Sequence, residues 1–153
     1  MEKIDGFITS WLSHRKALLE LLNTVDNEYL HYKPWDNAMS LSELVLHISG
    51  AMGMFVNTVK SGVFTPPPAP KSFETVEDLR TILQAETEQT ITELESLTEE
   101  QLEQLVDFHG TKMPGIALLE GAKDHEIHHK GQLFTYARLT GAKELPFFVS
   151  SAK

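Results

Sequence analysis

Residues 61–73, SGVFTPPPAPKSF, restrict the possible folds more than any other segment. A proline-rich stretch is stiff and extended at about 3.1 Å per residue, so this one reaches on the order of 40 Å. A helix of twenty residues is only about 30 Å long. The chain can therefore leave one end of a helix and return to the other, so that the flanking helices run parallel. Neither flank holds enough helices to close a core alone, so the segment reads as a crossover within one domain spanning residues 1–153.

Four segments have helical periodicity. The first runs from about Lys3 to Leu22, with Ile4, Phe7, Ile8, Trp11, Leu18, Leu19 and Leu22 along one stripe. Ser40 with Glu43 forms a capping box that opens the second, whose apolar face is Leu41, Leu44, Val45, Ile48, Met52, Phe55, Val56 and Val59. The third begins near Thr75, and Thr98 with Gln101 opens a short extra helix. The fourth opens at Pro114 and stops near Thr140, where Gly141 suits the C′ position. Strand signal is weak, and VDFHGTKM suits either a small hairpin or an irregular loop. An all-α, four-helix bundle with one long crossover between helices two and three accounts for these elements.

Net charge is −9, from 22 acidic and 13 basic residues, and no basic cluster covers a face. That offers little to a phosphate backbone, so nucleic acid is not expected as a partner. Without cysteine there are no disulfides, thiolate ligands or cysteine nucleophile. No apolar run approaches the roughly 18 residues of a membrane span, and the N-terminus lacks a signal-peptide pattern. A cytoplasmic protein away from the membrane is the expectation.

The chemistry concentrates in DHEIHHKGQ, residues 124–132, which contains H-E-x-x-H. His125 and His129 lie one turn apart and about 40° around a helix, so both rings can reach one ion. Leu118, Ala122, Gln132, Leu133 and Tyr136 share their face, while His128 points aside. Spacing alone leaves metal ligation and neutral core packing side by side. His47, on an interior seam of helix two with Leu44, Ala51 and Met54, also needs a partner. If helices two and four are neighbours, His47, His125 and His129 make a three-histidine site with open positions, as expected of a catalytic zinc site; nickel and iron suit imidazole too. Glu43 and Asp124 are candidate acceptors for the outer ring N–H groups. His14, His31 and His109 read as ordinary histidines. A zinc protease is disfavoured: no third ligand follows the motif, Glu126 projects toward the flank of the stripe, and there is no sheet edge to hold a peptide.

LSELVLHISG, followed by DHEIHHKGQLFTYARLTGAKELP and preceded by YKPWDNAMSL, resembles the DinB/YfiT-like superfamily of small metal-binding four-helix proteins. The order and spacing cover nearly the whole chain, with Lys130 standing where arginine is common. The resemblance implies an up-down-down-up bundle in which His47, His125 and His129 hold a divalent metal and His128 stays outside. It also implies a homodimer, for which Ile116, Ile127 and Phe134 offer a strip opposite the histidines; the short extra helix is the other candidate to cover it. Some relatives are thiol-dependent enzymes, so the resemblance implies a metal-dependent S-transferase joining a low-molecular-weight thiol of the bacillithiol type to a small electrophile. Gln132 and Tyr136 would then lie near the open positions. A metal-dependent hydrolase using bound water, or a stress-associated metal-binding module without turnover, are the alternatives.

Overall fold

A computed structural model describes residues 2–150. Helix α1 spans Glu2–Leu22, α2 Leu41–Ser61, α3 Val76–Glu95, the short α4 Glu99–Glu103 and α5 Gly115–Leu139. A one-turn 3-10 helix at Asn27–Tyr29 lies between α1 and α2, and strands β1 (Leu105–Phe108) and β2 (Thr111–Pro114) join α4 to α5. Three capping boxes are formed as their sequences require, at Ser40–Glu43, Thr75–Asp78 and Thr98–Gln101. Each satisfies two backbone N–H groups that the first helical turn would leave open.

VDFHGTKM is a hairpin. Phe108 faces Thr111, and the two residues between them, His109 and Gly110, have φ of 54° and 88°. Positive φ at both central positions is the turn whose twist matches antiparallel strands. At the hairpin's exit Gly115 meets the chain closely: a Cβ there would lie 2.5 Å from the Gln101 carbonyl oxygen and 2.8 Å from Val59 Cγ1.

The helix directions follow from side-chain bonds. Ser49 reaches Glu86 and Lys60 reaches Glu93, so α2 and α3 run parallel. Ser10–Lys123 and His14–Lys130 contacts make α1 and α5 parallel. Asn27, just past α1, caps Val76 at the start of α3, so those two helices are antiparallel. This is the up-down-down-up bundle, with the proline-rich crossover returning the chain from the end of α2 to the start of α3.

The core divides into two apolar clusters. Leu18, Leu22, Leu44, Ile48, Leu79, Leu83 and Leu133 belong to one, and Phe7, Trp11, Met52, Leu94, Leu118 and Leu119 to the other. A polar layer lies where they meet. Arg15 is 0% and Glu126 1% exposed. The guanidinium donates from Nε and Nη2 to the two carboxylate oxygens at 2.8 and 2.7 Å, and from Nη1 to Thr87 Oγ1 at 3.0 Å. Trp11 Nε1 donates to Glu126 Oε1 at 2.9 Å. Such a two-pronged pair satisfies both charges in a place where either alone would be very costly.

This corrects the expectation for Glu126. The buried stripe of α5 runs through Leu118, Leu119, Ala122, Glu126, Lys130, Leu133 and Ala137. Glu126 lies on its axis, not its flank, and the two histidines sit half-buried at its edge. The carboxylate can occupy the centre because Arg15 arrives from another helix. Lys130 is also buried, donating to His14 Nδ1 at 2.8 Å and to the Phe148 carbonyl, and Ser150 N donates to Ser13 O at 2.8 Å. These bonds hold the tail after α5 against α1. Of the strip Ile116, Ile127 and Phe134, Ile116 and Phe134 pack on the two core clusters and Ile127 is half-buried.

Replacing Glu126→Ala strands the buried guanidinium, and urea unfolding should show a loss of about 3–5 kcal/mol. Removing both partners, Arg15→Met with Glu126→Leu, should recover most of it, which a double-mutant cycle measures directly.

Candidate metal centre

Helix α5 carries two pairs of residues at helical spacing. Glu126 and Lys130 are directed to α1; His125 and His129, one residue earlier in each turn, meet His47 of α2. Antiparallel packing of α2 on α5 brings the three imidazoles to one place, with ligand nitrogens all within 4.8 Å of one another. Among the described residues this is the group of histidines and carboxylates with metal-holding spacing. The ring centroids are 4.9 Å apart for His47–His125 and His47–His129, and 4.4 Å for His125–His129.

Two distances test the fit to a metal ion. His47 Nε2 and His125 Nε2 approach to 3.1 Å. Two nitrogens bound to one ion at 2.0–2.1 Å are separated by about 2.9 Å at a right angle and about 3.3 Å at the tetrahedral angle, so this pair suits a shared ion, while the wider spread of the three nitrogens, up to 4.8 Å, requires His129 to draw in around it. His129 Nδ1 lies 2.7 Å from Gln132 Oε1. A carbonyl oxygen only accepts, so Nδ1 donates to it and Nε2 is the nitrogen left to face an ion. In their neutral form three imidazoles make a donor set suited to zinc, nickel or iron, and with three protein ligands an ion would keep open positions.

The electrostatics favour the same state. Burial, then the neighbouring His129 and His47, push His125 down to about 4. Burial and His129 also lower His47. Both rings are thus held in the neutral form that binds a metal, well below the pH where a free imidazole takes up its proton.

Gln132, expected near the open positions, places its amide oxygen against Nδ1 of His129. The acceptors expected from the sequence are placed otherwise: Glu43 Oε1 accepts the Ser40 backbone N–H at 2.8 Å in the capping box, and Asp124 is exposed. Tyr136 lies one turn beyond Gln132, where its hydroxyl donates to the Met39 carbonyl at 3.0 Å and its ring packs edge-on to Tyr32. His128 is exposed with its ring beside His129. His14 partners Lys130, His31 lies near Ser42 and Phe73, and His109 occupies the hairpin turn among Phe64 and Phe108.

His47 also borders a cleft that sequence reasoning missed. It lies between α2 and the crossover, and the crossover's Pro67, Pro68, Ala69 and Pro70 form one wall. The available signal was the run of small residues at Gly50 and Ala51 beside His47, which leaves room on that face of α2.

Loss of the oxygen that orients His129 should weaken metal binding by about 10–100-fold in Gln132→Ala, whereas His129→Ala should lose stoichiometric metal altogether; competition against a chromogenic chelator separates the two. The depressed histidines have a consequence for folding. Below pH 6.5 the unfolded chain takes up protons that the folded chain refuses, at His125 down to about 4 and at His47, which is also lowered, so stability present above pH 6.5 falls as the pH drops. The urea midpoint of metal-free protein should therefore be lower at pH 5 than at pH 7, and this difference should shrink in His125→Gln.

Comparison with known proteins agrees with this architecture. The model of the DinB family matches residues 1–152. The YjoA protein of Bacillus subtilis is 42% identical over 147 residues, covering 94% of this chain and 95% of that one. YrdA of the same organism is 25% identical, over 92% and 84% of the two chains. The crystal structure of the DinB-like YjoA superposes with a TM-score of 0.85 at 40% identity, covering 95% of this chain and 98% of the other. A DinB-like protein from Bacillus cereus, 21% identical over 94% and 95% of the chains, shares the fold with a TM-score of 0.77. No helix among the described residues is long and apolar enough to cross a membrane. An up-down-down-up bundle with a three-histidine group between α2 and α5, matched by a family model from end to end, places the chain in the DinB family.

Proposed function

We propose that this chain is a metal-dependent S-transferase that joins a low-molecular-weight thiol to a small electrophile. One observation carries the reading: three imidazoles converge, and one of them, His47, borders an apolar cleft, in a chain with no thiol of its own. A divalent ion held there supplies a Lewis acid that lowers the pKa of a coordinated thiol, so that thiolate forms near neutral pH.

The chain's own residues do the rest. His47, His125 and His129 hold the ion, and Gln132 keeps the His129 lone pair aimed at it. The apolar face of α2 beside His47 limits water around the reacting atoms, which strengthens the electrostatics of the site. In the reaction the thiolate sulfur attacks an electrophilic carbon; the carbon–sulfur bond forms as the bond to the leaving group breaks, and the thiol proton passes to solvent.

Hydrolysis by a zinc-protease scheme has less support, because that chemistry uses the glutamate of H-E-x-x-H as general base. Here that carboxylate is enclosed between Arg15 and Trp11, with both oxygens engaged. A metal-binding module without turnover is the remaining alternative, and the same assay addresses it.

Metal-loaded protein with bacillithiol and monochlorobimane should give the fluorescent thioether faster than the uncatalysed reaction. His129→Ala, or treatment with a chelator, should return the rate to background. A rate indifferent to both changes would remove the proposal, and metal binding without any turnover would favour the non-enzymatic module.

A further inference from the structure

The cleft beside His47 has a volume of about 560 Å³, within the range of small-molecule sites. Its floor is the face of α2 carrying Gly50, Ala51 and Met54, and its other wall is the crossover, Phe73 included. A Cβ built on Gly50 would meet nothing within 4 Å, so the space over this helix is open. Prolines have no backbone N–H, so the crossover wall is rich in ring surface and poor in donors. A flat apolar group can lie between such surfaces with little loss of hydrogen bonding.

The charges on the rim narrow the choice of occupant. Glu43 and Glu86 border the cleft against a single ammonium, Lys71. Glu86 accepts the Ser49 hydroxyl at 2.6 Å, which anchors its carboxylate at the α2–α3 seam. An anionic ligand is disfavoured there, and thiols of the glutathione kind carry carboxylates. His47 contributes to both places, as a member of the histidine group and as part of the cleft lining.

Resting on the S-transferase reading, we infer that the cleft between α2 and the proline-rich crossover binds the electrophilic substrate. Its occupant is an uncharged, flat apolar molecule of roughly bicyclic size, whose reactive carbon points to His47. The thiol approaches the histidine group from outside the cleft. The crossover is then a substrate-binding element as well as a connection, and Gly50 is the position that admits the substrate.

The probe is dimethylbimane, an unreactive, uncharged relative of monochlorobimane, followed by fluorescence titration. The parent protein should bind it saturably, with or without metal. Gly50→Leu places a side chain in the open space and suits the helix better than glycine does. It should retain the parent's metal content and thermal unfolding while weakening probe binding at least tenfold; Gly50→Ala should change it little. His129→Ala, which removes a metal ligand outside the cleft, should lose metal and keep the probe. Absence of saturable binding to the parent, equal affinity in Gly50→Leu, or displacement of the probe by bacillithiol would overturn the assignment. Probe binding that obeys these rules without S-transfer turnover would instead remove the reaction and leave the cleft standing.

Discussion

The bond between Arg15 and Glu126 sets the rotation of α5, and the site depends on that rotation. Two charges buried at 0% and 1% exposure tolerate little displacement, because a lost hydrogen bond there leaves a charge without solvent. With Glu126 locked toward α1, the preceding residue in each turn of α5 is turned toward α2. His125 and His129 meet His47 for that reason. The ion pair and the histidine group occupy the same level of the bundle and share a helix, one serving position and the other chemistry.

The crossover has a comparable double role. Its length lets α2 and α3 lie parallel, so α5 can fill the remaining place antiparallel to α2. Its composition then shapes the surface over α2. Proline, alanine and phenylalanine face a helix whose side chains at Gly50 and Ala51 are too small to meet them, and the gap opens beside a histidine of the metal centre. Larger residues on that face of α2 would have filled it.

Much of the fold was legible in residue order. Capping boxes at Ser40 and Thr98 are local, since cap and acceptor are three residues apart, and both appear as read; Thr75 was read only as a helix start, and its box closes with Asp78. The hairpin was half legible: His109-Gly110 signals a turn, but four-residue strands are too short to show a period. The three-histidine group was legible because i, i+4 spacing is a property of one helix and His47 stood on an otherwise apolar face. The roles of Glu126, Gln132 and the crossover wall were not. Each depends on a residue or a surface whose position is decided by packing, and a carboxylate at the centre of a buried stripe looks implausible until its guanidinium is found.

The sequence by itself determined the helices, their caps, the reach of the crossover and the pairing of His125 with His129, because these follow from backbone geometry and short-range spacing. Only the tertiary structure decided which face of α5 is buried, which oxygen orients His129, and that a cleft lies under the crossover. Those outcomes rest on contacts between residues as far apart as Trp11 and Glu126. No local pattern encodes such a contact; it exists only once the helices have packed and the cost of burying each polar group has been met by a specific partner.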